Sequence, residues 1–184
     1  MTCIIGIADG ATVWMGGDSC ISDYYTNTIL KHPKVFIVET HGERFVIGAA
    51  GSGRTLQVLE HKLDVPSNET DKDAYAFMVG EVVEAVKSLL KKEGCVTTEN
   101  EQGSMDSELL VGYRGRLFKV QTDYAVVENV RGYAATGTGE KTAMGALFVQ
   151  PNIEPAPRIM AALVASAEFV TTVQGPFYVV ALEP

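Results

Sequence analysis

The 184-residue chain reads as an α+β protein in which two antiparallel sheets stack face to face and helices cover their outer faces. Three features of the sequence predict this. Apolar runs follow one another in the order strands, two helices, strands, two helices, strand, whereas a doubly wound parallel sheet alternates strand with helix. Neighbouring strands are separated by tight-turn sequences, Asp9-Gly10, His41-Gly42-Glu43 and Arg114-Gly115, so each folds straight back on its predecessor. The longest helical segment carries Ala76, Met78, Val79, Val82, Val83, Val86, Leu89 and Leu90, a stripe broad enough to bury against a sheet. With 46% hydrophobic residues and no repeat, linker or low-complexity stretch, residues 1–184 are expected to form one domain with a sizeable core.

The first two strands are residues 3–8 (CIIGIA) and 11–17 (ATVWMGG), joined at Asp9-Gly10. Counting outward from that turn brings Gly16 to Asp18 beside Thr2, within a residue or two. Residues 23–27 (DYYTN) are polar and turn-like; Lys34 then stands at the start of a strand over 35–39, and a further strand over 44–50 ends in Gly51-Ser52-Gly53. Four strands thus precede any helix. Helical spacing follows over 55–63 and over 73–92. Strand signals return over 109–113, 117–121 and 125–130, and Gly137-Thr138-Gly139 opens a helix over 140–148. Pro155 and Pro157 punctuate the link to a last helix over 159–172, and residues 177–182 (FYVVAL) close as a strand.

Thr2 draws attention because a small hydroxyl residue after the initiator methionine is one that processing can expose. A threonine hydroxyl is a poor nucleophile until a base takes its proton. A free α-amine, with a reference pKa of about 7.7 to 8.0, can serve as that base from the same residue. The hairpin delivers Asp18 next to both groups. Met1 left in place would block the amine.

Composition narrows the partners. Fifteen basic against twenty-three acidic residues give a formal charge of -8, which leaves no basic footprint for nucleic acid or an anionic membrane. Cys3, Cys20 and Cys95 form no metal spacing, and an odd number does not suggest a stapled secreted scaffold. No leader and no apolar run of about 20 residues is found, so a cytoplasmic protein is expected, with no metal and no cofactor. His32, His41 and His61 share no spacing and are expected to be non-catalytic.

Taken together, Thr2 after Met1, Gly16-Gly17-Asp18, Lys34-Val35 before a strand, Ala50-Gly51-Ser52-Gly53 before a helix and Gly137-Thr138-Gly139 before another resemble the N-terminal nucleophile (Ntn) hydrolases of the proteasome β-subunit type, and HslV-like peptidases above all. The match is best over residues 2–63 and continues more loosely to about residue 172. The resemblance implies a four-layer αββα sandwich and a threonine peptidase. In it Thr2 is the nucleophile, its freed amine the proton acceptor, Lys34 the charge beside them, Asp18 the holder of Lys34, and the Gly51 N–H the oxyanion donor. Cys20, Ile21 and Ala49 would line the primary side-chain pocket, giving a preference for apolar residues before the cut.

Two family positions depart from the pattern. The serine after the second glycine motif is Thr138 here, which keeps a hydroxyl. Ser166 takes the serine of the last helix, but the family aspartate falls at Leu163 or Val164, and the nearest acid is Glu168, one helical turn away. Cys20 stands where proteasome subunits often carry a basic residue. The resemblance further implies a homo-oligomeric ring, hexameric or heptameric and stacked, fed with unfolded polypeptide by a separate ATP-dependent unfoldase, since this chain has no phosphate-binding loop. Two other readings stay open: a catalytically silent ring or scaffold subunit that retains Met1, and a small-molecule Ntn amidase.

Overall fold

The computed structural model describes residues 2–23, 25–99 and 102–184. Strands β1 (Cys3–Asp9) and β2 (Thr12–Gly17) form the expected hairpin. Its two-residue loop is Gly10-Ala11, with Gly10 at φ +60° and Asp9 still paired to Thr12. Ile4 pairs with Gly17, and the Asp18 N–H donates to the Cys3 carbonyl at 3.2 Å. Asp18 therefore arrives one residue from Thr2, as the count from the turn predicts.

Among the described residues six strands, not four, precede the first helix. The extra pair, β3 (Cys20–Ser22) and β4 (Asn27–Ile29), is a small hairpin closed at Asp23, whose carboxylate accepts the N–H groups of Tyr25 and Thr26. Three-residue strands carry too little alternation to be read from sequence; Tyr24, in the expected turn, lies outside the described residues. Strands β5 (Val35–Thr40) and β6 (Glu43–Ala50) follow as predicted. Helix α1 (Gly53–Lys62) starts where the Ser52 hydroxyl caps the Arg54 N–H.

The expected helix over 73–92 is α2 (Ala74–Phe77), a π-helical turn (Met78–Val82) and α3 (Val83–Lys92) in one run, capped by Asp73. Next come β7 (Val96–Glu99) and β8 (Gln102–Met105), a further hairpin not expected from the sequence. Strands β9 (Glu108–Tyr113), β10 (Arg116–Val120) and β11 (Val126–Glu128) match the predicted trio, the last shortened. Strand β12 (Tyr133–Gly137) was not expected. Helix α4 (Glu140–Phe148) has its predicted bounds. Helix α5 (Pro155–Phe169) begins at the prolines rather than after them, because a first-turn N–H has no intrahelical partner to lose. Strand β13 (Tyr178–Leu182) ends the fold.

The strands form a four-stranded sheet, β12-β1-β2-β13, and a five-stranded sheet, β11-β10-β9-β6-β5, with every described pairing antiparallel. Three apolar cores organise them. One joins the five-stranded sheet to α1, α2 and α3 through Phe45, Val58, Phe77, Val86 and Phe118. A second joins the four-stranded sheet to α4 and α5 through Ile5, Leu147, Ile159 and Leu163. The third holds Ile4, Val13, Met15, Val35, Val46 and Leu110 from both sheets. Glycines let the sheets close on one another: a Cβ on Gly48 would sit 2.5 Å from Ile4, and one on Gly112 would sit 2.6 Å from Val13. Among the described residues no helix is long and apolar enough to cross a membrane.

Candidate active site

Thr2 leads into the inner strand β1 and is almost wholly buried. Its neighbours come from four separate elements. Lys34, just ahead of β5, extends its Nζ to 2.9 Å from Thr2 Oγ1 and donates to Asp18 Oδ1 at 2.9 Å and to the Cys20 carbonyl. Each of the three is an acceptor for the ammonium. Asp18 follows β2; its Oδ1 also accepts the Cys3 N–H and its Oδ2 the Cys20 N–H, both at 2.9 Å. Asp18 is 0% and Lys34 3% exposed, so this ion pair is desolvated, and the extra backbone donors on Asp18 offset that penalty. Gly17 makes room for Ile4 rather than for Lys34: a Cβ there would lie 2.9 Å from Ile4 but in ordinary contact, 3.7 Å, with Lys34 Cβ.

The other side of Thr2 is built by β12 and the start of α4. Strand β12 pairs Gly137 with Cys3. Gly137 has φ +93°, and a Cβ on it would fall 2.2 Å from the Thr2 carbonyl oxygen, so only glycine fits. Thr138 Oγ1 lies 3.3 Å from both the Thr2 nitrogen, which donates to it, and the Thr2 oxygen. The Gly139 N–H also donates to that oxygen.

Ser166 on α5 is fully buried one step further in. Its Oγ sits 2.9 Å from the Ala162 carbonyl and 3.3 Å from that of Gly139, and it accepts from Cys3 Sγ. Burial pushes the Cys3 thiol up to about 12, which makes it an inert spacer rather than a second nucleophile. On the same helix Leu163 is buried in the apolar core, while Val164 and Glu168 are exposed.

Two hollows meet at Thr2. The first, of about 90 Å³, is lined by Ile21, Leu30, Lys34, Ala49, Gly51 and Leu56 among others. It is mostly apolar. Cys20, expected in its wall, is fully buried instead and turns its carbonyl to Lys34. The second, of about 360 Å³, is lined by Thr2, Ala50, Gly51, Glu108, Gly137, Thr138 and Glu140. Lys119 Nζ bridges its two carboxylates, at 3.1 Å from Glu108 and 3.0 Å from Glu140. Gly51 is common to both hollows. Glu108, Lys119 and Glu140 were missed from sequence; only Glu140, in the first turn behind the Gly137-Thr138-Gly139 motif, had a local signal. Among the described residues no three His, Cys, Asp or Glu side chains are placed to hold a metal ion.

This is the fold of the proteasome-type N-terminal nucleophile hydrolases, as the resemblance implied. Three solved structures illustrate the likeness, each 16–17% identical to this chain. BPH from Thiobacillus denitrificans, in complex with epoxomicin, superposes with a TM-score of 0.78 at 17% identity, over 99% of this chain and 98% of its own. Eukaryotic HslV from Trypanosoma brucei gives 0.71 at 17% identity, over the full length of both. The Anbu complex from Pseudomonas aeruginosa, a helical assembly, gives 0.68 at 16% identity, over 99% of this chain and 81% of that one. No protein-family model and no curated protein matches the chain by sequence.

Proposed function

We propose that this protein is a threonine endopeptidase, with Thr2 as its nucleophile once Met1 is removed. Met1 lies outside the described residues; the observation that carries the reading is the buried contact of Lys34 Nζ with Thr2 Oγ1 at 2.9 Å, backed by Asp18. A buried lysine held by a carboxylate and a carbonyl also donates to a hydroxyl that lines a hollow. Its positive charge favours the uncharged form of a nearby amine and the developing alkoxide of Thr2.

In the reaction, Thr2 Oγ1 attacks the scissile carbonyl carbon and its proton passes to the freed α-amine, through water. The Gly51 N–H receives the oxyanion. The C–N bond breaks as the amine returns that proton to the leaving nitrogen, which yields an ester on Thr2; water then hydrolyses it by the same route. Ile21, Leu30, Ala49 and Leu56 favour an apolar residue before the cut. Thr138 and Ser166 hold the Thr2–Cys3 segment, Thr138 directly and Ser166 through Gly139 and Cys3.

The three apolar cores support the four-layer order helix, sheet, sheet, helix within one domain. Phe148, Val149, Ile153, Val164 and Phe169 stay exposed on and around α4 and α5, which supports self-association into a ring. On this reading the ring works on unfolded polypeptide delivered by a separate ATP-driven unfoldase.

The test is the intact mass of the purified protein with and without epoxomicin. Loss of Met1 and one adduct on Thr2, absent in Thr2→Ala, is the expected result. Retained Met1 with no adduct overturns the reading in favour of a silent ring subunit. Equal cleavage of acidic and apolar fluorogenic peptides overturns the pocket assignment.

A further inference from the structure

Resting on the peptidase reading, we infer that the Asp106-Ser107 turn, together with Thr55, is a clamp that fixes the backbone on both sides of Gly51 and thereby aims the N–H of the Ala50–Gly51 peptide, the oxyanion donor. Gly51 stands between the end of β6 and the first turn of α1, with φ +147°. Nothing in Gly51 itself sets that conformation, because a residue without Cβ is free to rotate. The restraint comes from the turn between β8 and β9. An added Cβ on Gly51 would meet the Asp106 carbonyl oxygen at 2.3 Å, Ser107 Oγ at 2.4 Å and Ser107 Cα at 2.6 Å.

The contact is also a directed chain of hydrogen bonds. Thr55 Oγ1 donates to Asp106 Oδ1 at 2.8 Å, and Ser107 Oγ donates to the same oxygen at 3.0 Å. With its single hydrogen so committed, Ser107 Oγ has only lone pairs left, and it accepts the Ser52 N–H at 3.0 Å. The Ser52 hydroxyl in turn caps the Arg54 N–H. Ser107 and Thr55 are buried, at 1% and 0% exposure, while the Asp106 carboxylate that joins them lies at the surface.

The peptide after Gly51 is therefore held at its nitrogen by Ser107. The strand before it is held by the pairing of Ala50 with Glu108, the residue after Ser107. Both restraints issue from one turn. Asp106, Ser107 and Thr55 touch no substrate; they are positioning residues that act through Gly51. A donor aimed where charge develops is worth far more than one that must reorganise during the reaction, and small misplacements of such groups carry large losses in rate.

The experiment pairs peptide hydrolysis with amide exchange. Ser107→Ala removes the acceptor of the Ser52 N–H; kcat is expected to fall about 10- to 100-fold with KM within about twofold, and the Ser52 amide to exchange faster. Thr55→Val, which keeps shape but not the donor, is expected to lower kcat about tenfold, and Thr55→Ser to restore it. The Thr55 pair keeps the test decisive if Ser107→Ala fails to fold. Unchanged kcat in Ser107→Ala, or Thr55→Ser as slow as Thr55→Val, overturns the clamp. If the unmutated protein neither hydrolyses peptides nor takes epoxomicin, the peptidase reading falls. The clamp is then judged by exchange alone, and an unaltered Ser52 amide in Ser107→Ala overturns it.

Discussion

Strand β6 has a buried charged group near each end, and their surroundings are put together differently. At its start, Glu43 accepts the Tyr113 hydroxyl at 2.7 Å, the Asn68 N–H at 3.0 Å and Arg114 Nη2 at 3.3 Å. Burial and the neighbouring carboxylate push the Tyr113 phenol up to about 12. Beside its end, seven residues and about 23 Å away, Lys34 and Asp18 are buried as deeply. The Glu43 carboxylate gathers its donors among structural groups, and Arg114, itself exposed, passes a second hydrogen bond on to Asp71 at the surface. The Lys34 cluster ends on a hydroxyl that lines a hollow. Burial and charge are common to both; only the second leaves a polar bond directed at a group that can react.

That contrast predicts opposite responses to mutation. Lys34→Met should lower peptide hydrolysis by roughly 10³-fold and, by leaving Asp18 without its partner, lower stability by about 3 kcal/mol. Thermal unfolding and single-turnover kinetics read the two effects, and near-normal turnover in this variant would erase the distinction between the clusters. Glu43→Gln should lower stability by about 1–3 kcal/mol while turnover stays within about twofold; a parallel loss of turnover would make the far cluster part of the active site.

Cys3 sharpens the comparison through pH. Its thiol moves from an ordinary 9.0 to about 12 in the folded protein, so the folded chain keeps a proton that the unfolded chain releases. Stability from this group is complete below pH 9 and is lost as pH rises towards 12. Denaturant midpoints should decline over that window, and iodoacetamide at pH 8 should label Cys3 only after unfolding. Glu168→Ala should have the smallest effect, with unchanged turnover and stability within about 0.5 kcal/mol. A measurable loss would return Glu168 to the support of the amine.

What the sequence made legible was local. Asp9-Gly10 marks the β1–β2 turn one residue ahead of its actual loop, Gly10-Ala11, and with it the approach of Asp18 to Thr2, because a tight turn fixes register over the few residues that follow. The helix after Gly137-Thr138-Gly139 starts and stops where its pattern says. Strand β12 was hidden because YAATG is short and built of small residues, with no alternation to betray it. It lies between helix α4 and the other sheet, and its role is to let backbones meet, as Gly137 does against Thr2. Asp106 and Ser107 were illegible for another reason: they lie over fifty residues from Gly51 and Ser52, and only pairing of β6 with β9 brings them there. Lys34 was reached through the family pattern, since a lone lysine before a strand usually means a solvated edge.

Ile4 shows how sequence drift in this fold must be coupled. Its side chain is seated between Gly17 and Gly48, where an added methyl would lie 2.9 Å and 2.5 Å away respectively. A lineage that enlarges either glycine has to trim Ile4 in the same step or shift β1, and with it the residue two places upstream. The depth to which Thr2 reaches towards Lys34 is thus recorded in the volume of a socket rather than in the site's own polar residues. For a designer, a paired change such as Gly17→Ala with Ile4→Val, which removes the Cδ1 facing Gly17, offers a way to reset that reach without touching a single hydrogen bond.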